Sequence, residues 1–298
     1  MKRLSIALNS VRRESEKGIG HAAQWFARRF HLRFIRRRWP ALPPPTAEDL
    51  ARPITVVVPA VEKDADVLDR CLAAARRYVQ HPIEALWVVA PDSASIRALA
   101  ARYGATWVHE DTLLPRPAKE LKTRGWVLQQ LIKFGAAASA PTPDYLVLDA
   151  DTLFVRPQCF FRRGRTVLRY SDQYELLYNR SLQLVFGHPR RHPVSFVTHH
   201  SLFHRDRVRA LLNFMETRFG MPWWQAILSE MDQGHLISFS EYELYGHFIV
   251  EQAGWRKAFL LEYWNGIDCQ GEDLARLDEV LAHAGPRVNS ISFHRHTQ

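Results

Sequence analysis

Cysteine is scarce in this chain: Cys71, Cys159 and Cys269 lie far apart, with no Cys-x-x-Cys pair. An odd, scattered set argues against a disulfide framework or a cysteine-based structural zinc site, and it fits a reducing cytoplasm. No apolar run approaches the roughly 20 residues needed to span a bilayer. The N-terminus is basic but has no apolar signal core before a cleavage site, so export is not expected. No internal repeat is visible. What remains is ordinary globular material: 298 residues, 47% hydrophobic and 24% charged, enough for one large α/β domain or two small ones.

Charge is distributed unevenly. Eleven of the 40 Lys/Arg and two of the 31 Asp/Glu fall in residues 1–40, so that segment carries the whole net charge of +9. The other 258 residues are neutral, with 29 side chains of each sign. Within this leader, HAAQWFARRFHLRFIRRRW (21–39) places Trp25, Phe26, Phe30, Phe34 and Ile35 at helical spacing among arginines. A basic amphipathic helix of this kind suits the headgroup region of an anionic membrane, where each basic residue contributes about 1 kcal/mol. Docking on the protein's own body is the alternative. A neutral body without a basic stripe argues against a nucleic-acid partner. ALPPPT (41–46) reads as the start of a stiff linker over 41–51, with the main domain over 52–298.

From Pro53 onward, strand-length apolar runs alternate with helical stripes. Strands are expected at 54–60, 85–91, 105–110 and 145–148, with helices at 66–79, 95–104 and 124–138. That alternation specifies a doubly wound, mainly parallel sheet with ligands at the carboxyl ends of its strands. The second half is less regular. Strands are expected near 166–170, 194–198, 257–263 and 288–293, and helices near 205–218, 222–232, 241–253 and 272–284. The boundary between the two halves falls after Pro157, and they are not expected to fold independently.

The stretch YLVLDADTLFVRP (145–157) carries the chemistry. An apolar strand runs into Asp149-Ala150-Asp151, and residues i and i+2 of a strand face the same way. Two carboxylates about 5–6 Å apart repel by roughly 3 kcal/mol at an effective dielectric near 20. A divalent cation reverses that sign, and oxygen ligands of this type suit Mn²⁺ or Mg²⁺. A second copy, Asp64-Ala65-Asp66, sits at a helix start, where acids oppose the macrodipole and need no ion.

A Rossmann-like half, an apolar strand ending in Asp-x-Asp and a mixed second half together resemble a nucleotide-sugar glycosyltransferase of the GT-A fold. GWVLQQLIKFGAA, YLVLDADTLFVRP, SFVTHHSLF and SEYELYG are also similar to a group of bacterial GT-A-like proteins without an assigned substrate. The resemblance spans about 52–298 and implies an α/β GT-A architecture of helices flanking a mainly parallel sheet, with a nucleotide-binding half (52–157) and an acceptor-binding half (158–298). It implies that Asp151 ligates the metal directly, while Asp149 touches the donor ribose or the metal through water. The donor would be a nucleotide-sugar, foremost a UDP-sugar, whose leaving diphosphate the metal neutralises.

The resemblance also names supporting residues. His294, in the terminal ISFHRH, is a candidate third metal ligand, with His296 on the same face. In SEYELYG, Ser240 and Glu243 fit a capping box. That leaves Glu241 free as the candidate base for the acceptor hydroxyl, with Glu243 second. Pro59 and Glu62 after the first strand, and Asp92 after the second, would hold the nucleoside, although Asp92-Ser93 also reads as a helix cap. Trp126, Gln130 and Lys133 share a helix, and Lys133 could reach a phosphate or the Asp pair. His199, His200 and Tyr242 would line the acceptor pocket, although two histidines with no suitably spaced partners more often pack or hydrogen-bond than bind metal; Trp223, Trp224 and Trp264 could stack on sugars or fill core.

Rival readings fit less well. A haloacid-dehalogenase-type phosphatase needs Thr four residues after its first Asp, where this chain has Leu153. A sugar-nucleotide pyrophosphorylase needs a Gly-rich basic loop, and VPAVEKDAD has neither Gly nor Arg. A catalytically inactive adaptor anchored by the leader is the non-enzymatic alternative. The expectation is a metal-dependent glycosyltransferase, cytoplasmic or on the inner face of the plasma membrane, acting on a surface-glycan or lipid-linked acceptor.

Overall fold

β1 (Ile54–Pro59) is buried along its full length because both of its faces are covered. In the computed structural model, which describes residue 30 and residues 42–171, 173, 175–192, 194–231, 238–252 and 258–294, it is the centre of a five-stranded sheet. The leader (residue 30 apart) and His296 lie outside the described residues.

Strand order in this sheet is β3 (Thr106–His109), β2 (Ile83–Ala90), β1, β4 (Asp144–Leu148) and β8 (His200–His204). All pairs are parallel except β4 with β8. The period of two is clean along β1. Ile54, Val56 and Val58 face one core layer, with helices α2 (Ala65–Tyr78) and α3 (Ala94–Arg102). Val57 faces the other, with α5 (Gly125–Ser139), α7 (Arg205–Phe219) and α9 (Glu241–Glu251). The chain is thus mixed α/β with mainly parallel sheets, a Rossmann-like arrangement.

Two small sheets complete it. One joins β10 (Gly266–Gln270), β11 (Ser290–His294) and β5 (Thr152–Phe154); the other joins β6 (Phe161–Arg162), β7 (Arg165–Tyr170) and β9 (Phe259–Tyr263). The expected halves interlock, since β8 completes the first sheet and β11 pairs with β5.

Three sequence expectations are corrected. The segment 194–198 forms only an isolated bridge, Ser195 to Ser171, and the strand lies at 200–204 instead. Side chains take the backbone groups that a ladder would use: the Phe196 N–H donates to Glu243 at 3.2 Å and the Val197 carbonyl accepts from Ser171. The expected linker contains helix α1 (Ala47–Ala51), capped by Thr46, whose Asp49 is buried and accepts from the N–H groups of Arg163 and Gly164. Finally, α6 (Leu176–Phe186) had no counterpart in the sequence reading, although Gly187 closes it at φ +75 as a helix-ending glycine does.

Candidate active site

The sheet order fixes where a ligand can sit. From β1 the chain moves outward to β2 and β3, then returns to the other side of β1 for β4. The carboxyl ends of β1 and β4 therefore flank a topological switch point, the usual ligand crevice of such sheets. Asp149 is the first residue beyond β4, and the β1–β4 register, continued two residues, brings Pro59 level with it.

Asp149 and Asp151 do not share a strand face, contrary to expectation. β4 stops at Leu148, and Asp149–Thr152 is a tight turn closed by Thr152 N–H donating to the Asp149 carbonyl at 3.0 Å. The side chains are brought together by neighbours instead. The antiparallel register Leu148↔His200 sets His199 opposite Asp149, whose N–H donates to the His199 carbonyl at 3.0 Å. His199 has φ +60, the left-handed region where a non-glycine residue costs energy and often marks a functional site. On the other side, Phe293 N–H donates to the Asp151 carbonyl, which places His294 beside it. In the parallel β10–β11 ladder Asp268 pairs with Ser292, so Asp268 and His294 point to the same face.

The result is a ring of five side chains. His199 Nδ1 lies 3.4 Å from Asp149 Oδ2, and His294 Nδ1 lies 3.1 Å from Asp151 Oδ2. The Nε2 atoms of both imidazoles lie 3.3 Å from Asp268 Oδ1. Ligand atoms of His199, Asp268 and His294 fall within 4.8 Å of one another. Burial pulls the imidazoles down, but hydrogen bonds to the aspartates outweigh it and push His199 up to about 10 and His294 to about 9. The Trp264 ring stands edge-on to His199 at 5.3 Å, with its indole N–H on Ser290.

Behind the ring lies a buried charge cluster. Lys133 Nζ is 2.5 Å from both Asp149 Oδ1 and Glu241 Oε1, and the Tyr242 hydroxyl donates to Asp149 Oδ1 at 3.0 Å. Burial would raise Asp149, but the Lys133 ammonium and His199 hold it well below the usual carboxylate range. Burial raises Glu241, and Lys133 offsets this only in part. Lys133 itself is pushed up, since its two carboxylates outweigh its burial.

Other expectations divide. Lys133 reaches Asp149 of the Asp pair, as its helix position allowed, and Tyr242 joins it. Gln130 is one step removed, accepting from the Glu241 N–H at 3.0 Å. Trp126 packs edge-on against Phe239. Pro59 ends β1, Glu62 accepts from Ser95, and the exposed Asp92 pairs with Arg97. The cap of α3 is Ser93. Glu241 is not free: it is 2% exposed and committed to Lys133. Glu243 does not close a capping box. Ser240 accepts from its N–H, but its carboxylate turns to Ser195, Phe196 N–H, Arg190 and His247. Although burial would raise it, these partners hold it at about 2, which makes it a structural anion. His200 is buried between Phe154, Phe160 and Arg169 and does not line a pocket. Asp268 was missed; its only signal was an acid between Ile267 and Cys269 in a strand-length run.

Residues 51–279 match a family described as "Family of unknown function (DUF6492)". No curated protein matches the chain.

Proposed function

The chain belongs to the DUF6492 family, whose function is unknown, and from the geometry of its site we propose that it is a metal-dependent glycosyltransferase using a nucleotide-sugar donor. One observation carries this reading. Two aspartates, two histidines and a third aspartate converge at the switch point, where an open α/β sheet binds phosphorylated ligands. The residues that would hold a dication are drawn from Asp151, His199, Asp268 and His294, and a mixed nitrogen and oxygen set suits Mn²⁺ better than Mg²⁺. When bound, such an ion supplies Lewis-acid stabilisation of a departing diphosphate.

The chain's own residues do the rest. Lys133 holds Asp149 ionised and fixed, and Tyr242 and His199 orient it from two sides. Loops after β1 and β2, with Glu62 and Asp92 exposed on them, form the rim on which the nucleoside would rest. Glu241 is read here as a positioning residue, because its carboxylate is tied to Lys133 rather than offered to an acceptor. The basic leader supports a surface-glycan or lipid-linked acceptor at an anionic membrane. Among the described residues no helix is long and apolar enough to cross a membrane.

The test is a thermal-shift and calorimetric panel of UDP-, GDP- and CMP-sugars with and without Mn²⁺. One donor should raise the melting temperature only with the ion, and Asp151→Asn should remove that shift. If no nucleotide-sugar binds, or if the pure protein instead releases phosphate from a phosphomonoester, the transferase reading fails.

A further inference from the structure

The resemblance assigns the Asp-x-Asp pair to the metal itself, but the ring of contacts suggests a different division of labour. We propose that His199 Nε2, His294 Nε2 and Asp268 form a protein-only centre for a first-row transition dication, occupied before any nucleotide arrives, and that Asp149 and Asp151 orient its two imidazoles.

An imidazole can give only one ring nitrogen to a metal, and the other is then free to donate a hydrogen bond. Both histidines are split this way. Each turns Nδ1 to an aspartate of the Asp-x-Asp pair, at 3.4 Å for His199 and 3.1 Å for His294. Each turns Nε2 to the same oxygen of Asp268, at 3.3 Å in both cases. Donor atoms about 2.1 Å from one ion stand about 3.0 Å apart in an octahedron and about 3.4 Å apart in a tetrahedron. Both observed separations fit such an edge. A carboxylate behind a ligating imidazole is the usual device for fixing tautomer and ring direction. Here it occurs twice, from two residues of one turn.

The backbone is arranged for the same end. His199 is held at φ +60, which throws its ring to the side opposite the buried His200. Trp264 braces that ring from one side, and Gly266 lies so close under Trp264 that an added Cβ would sit 1.9 Å from the indole. Asp268 is the most exposed of the three, with 56% of its side chain open to solvent, so the centre can be loaded from outside. Three protein donors would leave such an ion open to phosphate oxygens or water. Imidazole donors favour Mn²⁺, Fe²⁺ or Zn²⁺ over Mg²⁺.

The inference rests on the cation in the proposed function and not on the group transferred. The experiment titrates the chelator-treated full chain with Mn²⁺, without nucleotide, by calorimetry and pulsed electron paramagnetic resonance. One ion per chain with two coupled imidazole nitrogens is expected, and Mg²⁺ should compete poorly. His199→Gln and His294→Gln should each remove one nitrogen coupling, and Asp268→Asn should weaken binding most among the aspartates. Asp151→Asn should weaken it by about 10–100-fold while keeping both couplings. Ion uptake only in the presence of a nucleoside diphosphate overturns the inference and leaves the transferase reading standing. So does an Asp151→Asn loss as large as that of Asp268→Asn. Uptake without nucleotide, in a protein that binds no nucleotide-sugar, upholds the centre and removes the transferase.

Discussion

Lys133 shows what one residue does for this site. Its ammonium is almost fully buried and pairs with two carboxylates brought from different elements, Asp149 after β4 and Glu241 at the start of α9. Removing one partner of such a group leaves uncompensated charge in the interior, so Lys133→Met should cost about 3–5 kcal/mol in urea unfolding. Adding Glu241→Gln to it should recover part of that loss. A cost below about 1 kcal/mol would mean the cluster is not held as described. His81 is a second single-residue case. It accepts from the Phe160 N–H at 2.9 Å, and burial, aided by Arg162, lowers it to about 4. Its folded value lies below the ordinary histidine value near 6.5, so its contribution is complete above that pH. It is lost as pH falls towards 4, by up to about 3 kcal/mol. Melts between pH 4 and 8 should show this slope, and His81→Gln should flatten it.

At the level of elements, the packing of α9 against the 194–198 segment decides where the functional side chains point. Gly246 faces Phe196 so closely that a Cβ would lie 2.2 Å from the ring. Gly246→Ala, favourable in an isolated helix, should therefore destabilise by about 1–3 kcal/mol through overpacking, as read from chemical denaturation. An unchanged midpoint would show that the helix can retreat without cost. The same region explains what the sequence could and could not convey. The β1–β4 core was legible because apolar runs and their breaks are local, whereas Asp149 and Asp151, expected on one strand face, lie on a turn closed by the Thr152 N–H. The helix position of Lys133 left a phosphate or the Asp pair as its targets, and only the fold settles it on Asp149. VSFVT was misleading: a five-residue segment with Val194, Phe196 and Val197 is consistent with a strand, and only Glu243 and Ser171, 47 and 26 residues away, decide otherwise. Asp268 was illegible because its meaning comes from a ladder with β11, and no spacing within GIDCQ encodes that pairing.

For the whole molecule, the two expected halves are one folding unit. β8 closes the first sheet and β11 closes on β5, so fragments 52–157 and 158–298 expressed separately should be unfolded by circular dichroism, and only the joined chain should melt cooperatively. Asp49 ties α1 to the rest of the fold, its carboxylate accepting from the N–H groups of the 163–164 turn. Removing residues 1–40 should reduce sedimentation with anionic vesicles; equal sedimentation would refute the leader's membrane role. Finally, His294 meets Asp151 across 143 residues of intervening chain, and Asp268 across 26. Closures that long are completed late, when most native surface is already hidden. An ion bound there would be a guest of the finished protein and no template for its assembly. Manganese should then lengthen the lifetime of the native state against urea while leaving the rate of refolding untouched.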